Sequence, residues 1–316
     1  MNQHISPRQQ FAADLHAALS ASPRGISPKY FYDEIGSRLF EQICELPEYY
    51  PTRTELALLQ QYGGEMAECI GAHAQLVEYG AGALRKVRHL LDHLREPQAF
   101  VPVDISGVHL LAACAELQQS YPALRIAPVV ADFTQPHDLP ARLAGSQPGR
   151  RVGFFPGSSI GNFSPAEAQD FLRMAAHELR GGGLLIGIDL VKDPAVLHAA
   201  YNDAAGVTAA FNLNLLERAR RELGAEFEPH GFSHSAFYNS PFQRIEMHLQ
   251  SRRAQVLNLG GTRYEFAAGE TLHTENSHKY SVEGFQRLAA QVGFGAGPVW
   301  KDERNWFALL WLQAPD

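Results

Sequence analysis

The chain has 316 residues, 45% hydrophobic and 19% charged, which fits a globular protein with chain for one large domain or two modest ones. A formal net charge of −7 gives no sign of a general nucleic-acid binder, and no apolar run reaches the roughly 18–20 residues that span a bilayer. The N-terminal MNQHISPRQQFAADLHAAL lacks the apolar core and cleavage site of a secretory signal. The cysteines (Cys44, Cys69, Cys114) give neither a disulfide framework nor a zinc motif, so a reduced cytoplasmic protein is expected.

Residues 1–55, rich in aromatics and prolines, read as lying outside any sheet. AQLVEYG (74–80) then reads as a buried strand. ALRKVRHLLDHL (83–94) follows as a helix with Leu84, Val87, Leu90, Leu91 and Leu94 on one face. FVPVDI (100–105), IAPVVADF (126–133), RVGFFPG (151–157) and LLIGIDL (184–190) read as further strands, with VHLLAACAELQQS (108–120) as a helix. Ser164-Pro165 opens another helix as N-cap and first-turn proline, and Gly181-Gly182-Gly183 closes it. Continuous apolar strands alternating with helices predict a parallel sheet covered on both faces.

After the fifth strand the pattern changes. Residues 194–223 predict one long helix or two, and about 226–275 predicts antiparallel strands with a Gly260-Gly261 hairpin. SVEGFQRLAAQVGF (281–294) returns to helix, and WFALLWLQA (306–314) is a last apolar strand. A second unit is therefore expected as an insertion, with the N-terminal segment packed on it.

Three strand ends carry polar chemistry. The first strand ends in Glu78-Tyr79-Gly80-Ala81-Gly82, whose glycines allow a tight turn and close approach of a ligand. Arg85 stands where a dinucleotide fingerprint wants a third glycine. Asp104 ends the second strand, where an acid meets ribose hydroxyls, and Asp132-Phe133 ends the third, where a carboxylate and a ring suit adenine. The plainer reading is that both aspartates cap loops; the set together leans to ligand binding.

This set resembles the class I methyltransferase fold, which binds S-adenosylmethionine. PKYFYDEIGSRLFEQICELPEYYPTRTE (28–55), GSSIGNFSP (157–165), AYNDAAGVTAAFN (200–212), RIEMHL (244–249) and TENSHKY (274–280) resemble the histidine-specific N-alpha-methyltransferase family, known for making hercynine in the ergothioneine pathway. The resemblance runs over nearly the whole chain. It departs in Gly-Ala-Gly, where Gly-Ser-Gly is common, and in the bulkier Asn-Ser-His-Lys-Tyr after Glu275.

The resemblance implies an α/β fold: a Rossmann-like methyltransferase sheet over 56–193 and 281–316, with an inserted α+β substrate-binding domain formed by 1–55 and 194–280. It implies that Gly80, Lys86, Asp104, Asp132 and Phe133 contact the methyl donor. Tyr50 lines the donor and substrate pocket, and Tyr32 lies near the substrate as a candidate proton relay. Asn162 and Tyr201 hold the α-amino and α-carboxylate groups, Met247 packs beside the ring, and Glu275 and Ser277 bond the imidazole. In an extended segment residues i and i+2 face one side, so Glu275 and Ser277 suit one ring. The expected partner is L-histidine, with no nucleic acid and no membrane, and the expected state is a monomer.

Other chemistries fit the residues less well. The pairs His230/His234 and His273/His278 form no His-Glu-x-x-His and lie near no cysteine pair, so no metal is expected. Gly157-Ser158-Ser159-Ile160-Gly161 has the outline of a hydrolase nucleophile elbow, but that reading leaves Gly80–Gly82, Asp104 and Asp132 without a role. A different amino-acid or small-amine acceptor, or a non-catalytic donor-binding partner protein, stand as alternatives on the same scaffold.

Overall fold

A computed structural model describes residues 6–135, 149–228 and 230–316. Helix α1 (Pro7–Ser20) opens with a capping box between Ser6 and Gln9, and α2 (Glu34–Glu45) is capped by the Asp33 carboxylate. Helix α3 (Tyr50–Ile70) precedes the alternation of β1 (Gln75–Tyr79), α4 (Arg85–Leu91), β2 (Ala99–Asp104) and α5 (Gly107–Ser120). Strands β3 (Arg125–Ile126), β4 (Val129–Val130) and β5 (Arg151–Phe155) come next, then α6 (Pro165–Glu178) and β6 (Gly183–Asp189). Helix α6 begins as its sequence predicts, with Ser164 and Glu167 exchanging hydrogen bonds and Pro165 in the first turn.

Two helices follow, α7 (Pro194–Tyr201) and α8 (Val207–Leu223). The antiparallel strands are β7 (Phe232–Asn239), β8 (Arg244–Ser251), β9 (Gln255–Leu259), β10 (Thr262–Phe266) and β11 (Thr271–His278). Helix α9 (Val282–Ala290) and strands β12 (Gly295–Lys301) and β13 (Phe307–Gln313) close the chain.

Contacts divide the chain into two compact units, Tyr50–Lys192 with His278–Asp316, and Met1–Tyr49 with Asp193–Ser277. The first unit holds a sheet in the order β12-β13-β6-β5-β1-β2-β3, with β4 also paired to β2. Strands β1 to β6 run parallel, while β13 is antiparallel to both β6 and β12. That order with one reversed strand is the class I methyltransferase sheet. Alternate residues feed two cores. Val77, Val101, Phe155, Ile186 and Leu310 lie in one, and Leu76, Phe100, Phe154, Leu185 and Leu309 in the other. Burial on both faces explains the unbroken apolar runs.

The stretch 126–133, expected as one strand, is broken. β3 and β4 pair separately with β2, and Pro128 stands between them. Proline has no N–H for the ladder, which suits an edge position and interrupts the pairing.

The second unit holds a three-stranded sheet, β11-β8-β7, and the hairpin β9–β10 turned by Gly260 and Gly261, both at positive φ. Helix α8 packs on α2, β7 and β8, and Phe31 of the N-terminal segment meets Phe211 of α8 with ring centroids 4.6 Å apart. The open question of one helix or two over 194–223 resolves at Asp203. Its carboxylate accepts the N–H groups of Val207 and Thr208 at 2.8 Å each, which starts α8 afresh. Burial by itself raises this carboxyl, but hydrogen bonds from Thr208 and Val207 outweigh it and hold the group below its ordinary 3.8.

A lowered folded-state pKa adds stability above the unfolded value and loses it as pH falls through the folded one. Asp203→Ala is therefore expected to lower the unfolding free energy by about 1–2 kcal/mol at neutral pH. In denaturant titrations across pH, that difference shrinks once the pH drops below 3.8.

Candidate active site

The sheet unit holds the residues expected to contact the donor. Gly80 and Gly82 have φ of 68° and 53°, which glycine adopts without strain. The Gly82 N–H donates to Asp104 Oδ2 at 2.9 Å, and the Ser106 N–H donates to Asp104 Oδ1 at 2.8 Å. Asp104 thus carries out the loop-capping role of the plainer reading and fixes the glycine turn as well. Asp132 accepts from the Thr134 N–H at 3.0 Å. Phe133 joins a ring cluster with Tyr79, Phe155, Phe163 and Phe171, and its edge would lie 3.3 Å from a Cβ on Gly80.

Glu78, at the same strand end, is buried with Oε2 lacking any partner, and burial pushes its carboxyl well up. An orphaned carboxyl oxygen, a turn bare of side chains and carboxylates on successive strand ends fit a ligand with an amino group, hydroxyls and a purine. Those are the groups of S-adenosylmethionine.

Asn162 ends a single helical turn, Ser159–Asn162, after β5. It is half-buried, and its side chain makes no hydrogen bond among the described residues. The two serines of the elbow-like motif are occupied with backbone. Ser158 Oγ accepts the Asp189 N–H at 2.8 Å, and the Ser159 hydroxyl donates to the Pro156 carbonyl at 3.0 Å.

Tyr50 opens α3, and its hydroxyl lies 2.9 and 2.8 Å from the two Asp189 oxygens and accepts from Lys192 at 2.7 Å. Asp189 also pairs with Lys192 and, at 2.8 Å, with Lys279. Burial by itself raises the Asp189 carboxyl, but Lys279 and Lys192 together hold it down. Burial lowers Lys192 to about 8 against the pull of Asp189.

The second unit gathers Tyr32, Tyr201, Met247, Glu275 and Ser277, while Tyr50, Gly80, Lys86, Asp104, Asp132, Phe133 and Asn162 belong to the sheet unit. On β11, Leu272 and Thr274 are buried, and then so are Glu275 and Ser277. Both faces of the strand are covered from Thr274 onward. Both side chains the i, i+2 spacing singled out are thus withdrawn from water, at 8% and 5% exposure. The Tyr201 hydroxyl donates to Ser277 Oγ at 2.7 Å. Met247 is buried on β8, and its carbonyl accepts the Thr274 hydroxyl at 3.0 Å. Tyr32 packs edge-on to Phe40 and Phe211, each with ring centroids 5.7 Å apart.

Two residues missed by sequence reasoning complete this half. Tyr49 lies 6.4 Å from Tyr201 ring to ring. Burial pushes its phenol well up, and Tyr201, Cys44, Tyr32 and Glu275 add to the rise. Asn212, fully buried, donates to the His248 carbonyl at 3.0 Å and accepts the Thr274 hydroxyl at 2.8 Å, tying α8 to both strands that carry substrate-site candidates. The quoted VTAAFN stretch held Asn212, and YYPTRTE held Tyr49; nothing in the sequence separated Tyr49 from Tyr50.

Glu246, His248 and His273 bring a carboxylate oxygen and two ring nitrogens within 4.8 Å of one another, a trio no sequence spacing announced. The two imidazoles are stacked, with centroids 4.7 Å apart and planes at 30°, and Phe237 stacks on the far side of His248. Lone pairs in nearly parallel rings point along the stack's planes rather than converge. Arg244 also donates to Glu246 Oε1 at 2.8 and 2.7 Å, supplying positive charge already. The trio is a packed stack.

A strand order with one reversed strand inside the sheet and a glycine turn facing strand-end carboxylates define an S-adenosylmethionine-dependent methyltransferase. Residues 11–314 match the family described as histidine-specific, SAM-dependent methyltransferases. The chain is 42% identical to a histidine N-alpha-methyltransferase of Mycolicibacterium smegmatis, over 96% of this chain and 95% of that one. It is 40% identical to the enzyme of that name in Mycobacterium tuberculosis, over 94% and 92% of the two chains. Against ergothioneine biosynthesis protein 1 of Neurospora crassa it is 29% identical, over 88% of this chain and 32% of that one. The chain belongs to the histidine-specific methyltransferase family.

Asp189→Asn removes the carboxylate that two buried lysines share. It is expected to lower the unfolding free energy by about 3–5 kcal/mol in urea titrations, because breaking a buried pair leaves its partners charged and uncompensated. Lys192→Met keeps the Lys279 pair and is expected to cost less than half as much.

Proposed function

We propose that this enzyme transfers methyl groups from S-adenosylmethionine to the α-amino group of L-histidine, three times over, to give the trimethylated product hercynine, the first step of ergothioneine biosynthesis. The observation that carries the reading is the buried pair Glu275 and Ser277 with Tyr201 bonded to it, in a chain of this family. In this reading Glu275 accepts from one ring N–H. The Ser277 hydroxyl, which accepts from Tyr201, donates its own proton to the other ring nitrogen. Burial makes the pair selective, because an acceptor without a matching ring forfeits both hydrogen bonds.

The bound donor supplies an activated methyl group on a sulfonium, so the protein chiefly positions the nucleophile for in-line displacement. Gly80, Lys86, Asp104, Asp132 and Phe133 hold the donor. Asn162 and Tyr201 hold the amino-acid head with neutral groups, which does not favour the ammonium form of the amine. A free α-amino group has a pKa of roughly 8, so a reactive fraction exists without a strong base. Tyr32 is assigned as the relay that passes the released proton outward.

Tyr49 takes the substrate-facing role first assigned to Tyr50, since the Tyr50 hydroxyl is held by Asp189 and Lys192. The faces of Tyr32, Tyr49 and Tyr201 suit a nitrogen that loses N–H donors and becomes a fixed cation. The same reading takes the enzyme as a cytoplasmic monomer, with Met247 against the imidazole.

Incubation with S-adenosylmethionine and a panel of free amino acids, read by mass spectrometry, is expected to give a product only from histidine, heavier by three methylene units. A product from another amino acid or a simple amine would overturn the substrate assignment. Glu275→Ala is expected to lower kcat/KM for histidine by about 100-fold or more while donor affinity stays within about twofold.

A further inference from the structure

We propose that Glu55 is a positioning residue for methyl transfer, a single buried carboxylate that sets both the donor-side Lys86 and the turn bearing Asn162. Glu55 closes the YYPTRTE motif and lies in the second turn of α3 with no exposed surface. Both of its oxygens lie 2.9 Å from the Gly157 nitrogen, sharing that N–H, and Oε2 pairs with Lys86 Nζ at 2.7 Å. Helix α3, the start of α4 and the turn after β5 therefore meet on one charge.

The surrounding chain is shaped for it. A Cβ on Gly187 of β6 would fall 2.3 Å from Glu55 Oε1, so only glycine leaves the carboxylate room. Gly157 has φ 80°, and a Cβ there would stand 3.1 Å from Lys86 Nζ. Ser158, next in the chain, is also left-handed at φ 56°. Two consecutive left-handed residues aim the Gly157 N–H, and such a conformation persists where its surroundings fix it. The same turn runs on to Asn162.

A buried ion pair adds little net stability over an apolar pair of the same volume. What an apolar pair does not provide is an ammonium of fixed position and an amide of fixed direction. Lys86 is paired with Glu55 at 2.7 Å and keeps 20% of its side chain exposed. The inference rests on the proposed donor role of Lys86 and acceptor role of Asn162.

The test uses the full-length enzyme with donor affinity from titration calorimetry, KM for histidine and kcat from initial rates, and thermal melts for each variant. In Glu55→Gln the amide oxygen still accepts from Gly157, but the charge that holds Lys86 is gone. Donor affinity is expected to fall about tenfold with kcat changed less than about threefold, the scale of one charge-assisted contact. Glu55→Asp keeps the charge but shortens its reach, and is expected to raise KM for histidine as the turn loses its anchor.

The double variant Glu55→Gln with Lys86→Met is expected to bind donor no more weakly than Lys86→Met alone, because Glu55 acts through Lys86. A lowered melting temperature with donor affinity and histidine KM both within about twofold of wild type overturns the proposal, as do fully additive losses in the double variant. Calorimetry without acceptor reads the Glu55 effect whichever amine is methylated, so a wild-type enzyme inactive on histidine sinks the substrate reading and leaves this test standing.

Discussion

Two carboxylates, Glu55 and Asp189, are buried at the carboxyl ends of the parallel strands, and each is held there by lysine. Moving a carboxylate out of water costs several kcal/mol unless cations and donors replace the lost solvation. Lys86 and the Gly157 amide do this for Glu55; Lys192, Lys279 and the Tyr50 hydroxyl do it for Asp189. The two arrangements are linked through consecutive residues, since Gly157 bonds Glu55 and Ser158 receives the Asp189 N–H. The turn that ends in Asn162 is thus pinned at its start from both sides.

This arrangement suits a reaction in which the protein does little covalent chemistry. The donor brings an activated methyl group, so the rate depends on where the nucleophile is held. The proposed donor cradle is built from backbone and from strand-end carboxylates, as glycine positions and a parallel sheet dictate. The acceptor candidates are built differently, from a short antiparallel sheet with aromatic residues of the N-terminal segment. Asn212 crosses from α8 to the His248 carbonyl and the Thr274 hydroxyl and so fixes the strands that carry Met247 and Glu275. Recognition by buried hydrogen-bonding groups demands that rigidity, because a loosely held carboxylate accepts many partners.

Much of this was legible in the residues. Unbroken apolar strands gave the parallel sheet, Ser164-Pro165 gave the start of α6, and the acids after strands pointed to the proposed donor side. The misreadings have local physical causes. The strand over 126–133 reads as continuous by composition, but Pro128 removes a donor at a sheet edge and splits it. Alternation put Glu275 and Ser277 on one side of a strand, opposite Leu272 and Thr274, but did not say that both sides are covered there.

The sequence by itself determined the sheet, because that follows from periodicity, while the donor and the candidate pair Glu275 and Ser277 came from the likeness of short motifs to a known family. Only the tertiary structure decided which of two adjacent tyrosines stands beside Tyr201 and Glu275. At the start of α3 the chain turns, so Tyr49 joins the aromatic cluster while Tyr50 bonds Asp189. It also decided that Glu55, unremarkable as a helical acid, is wholly enclosed. Its partners come from residues 86 and 157, far along the chain, and no local pattern encodes that distance.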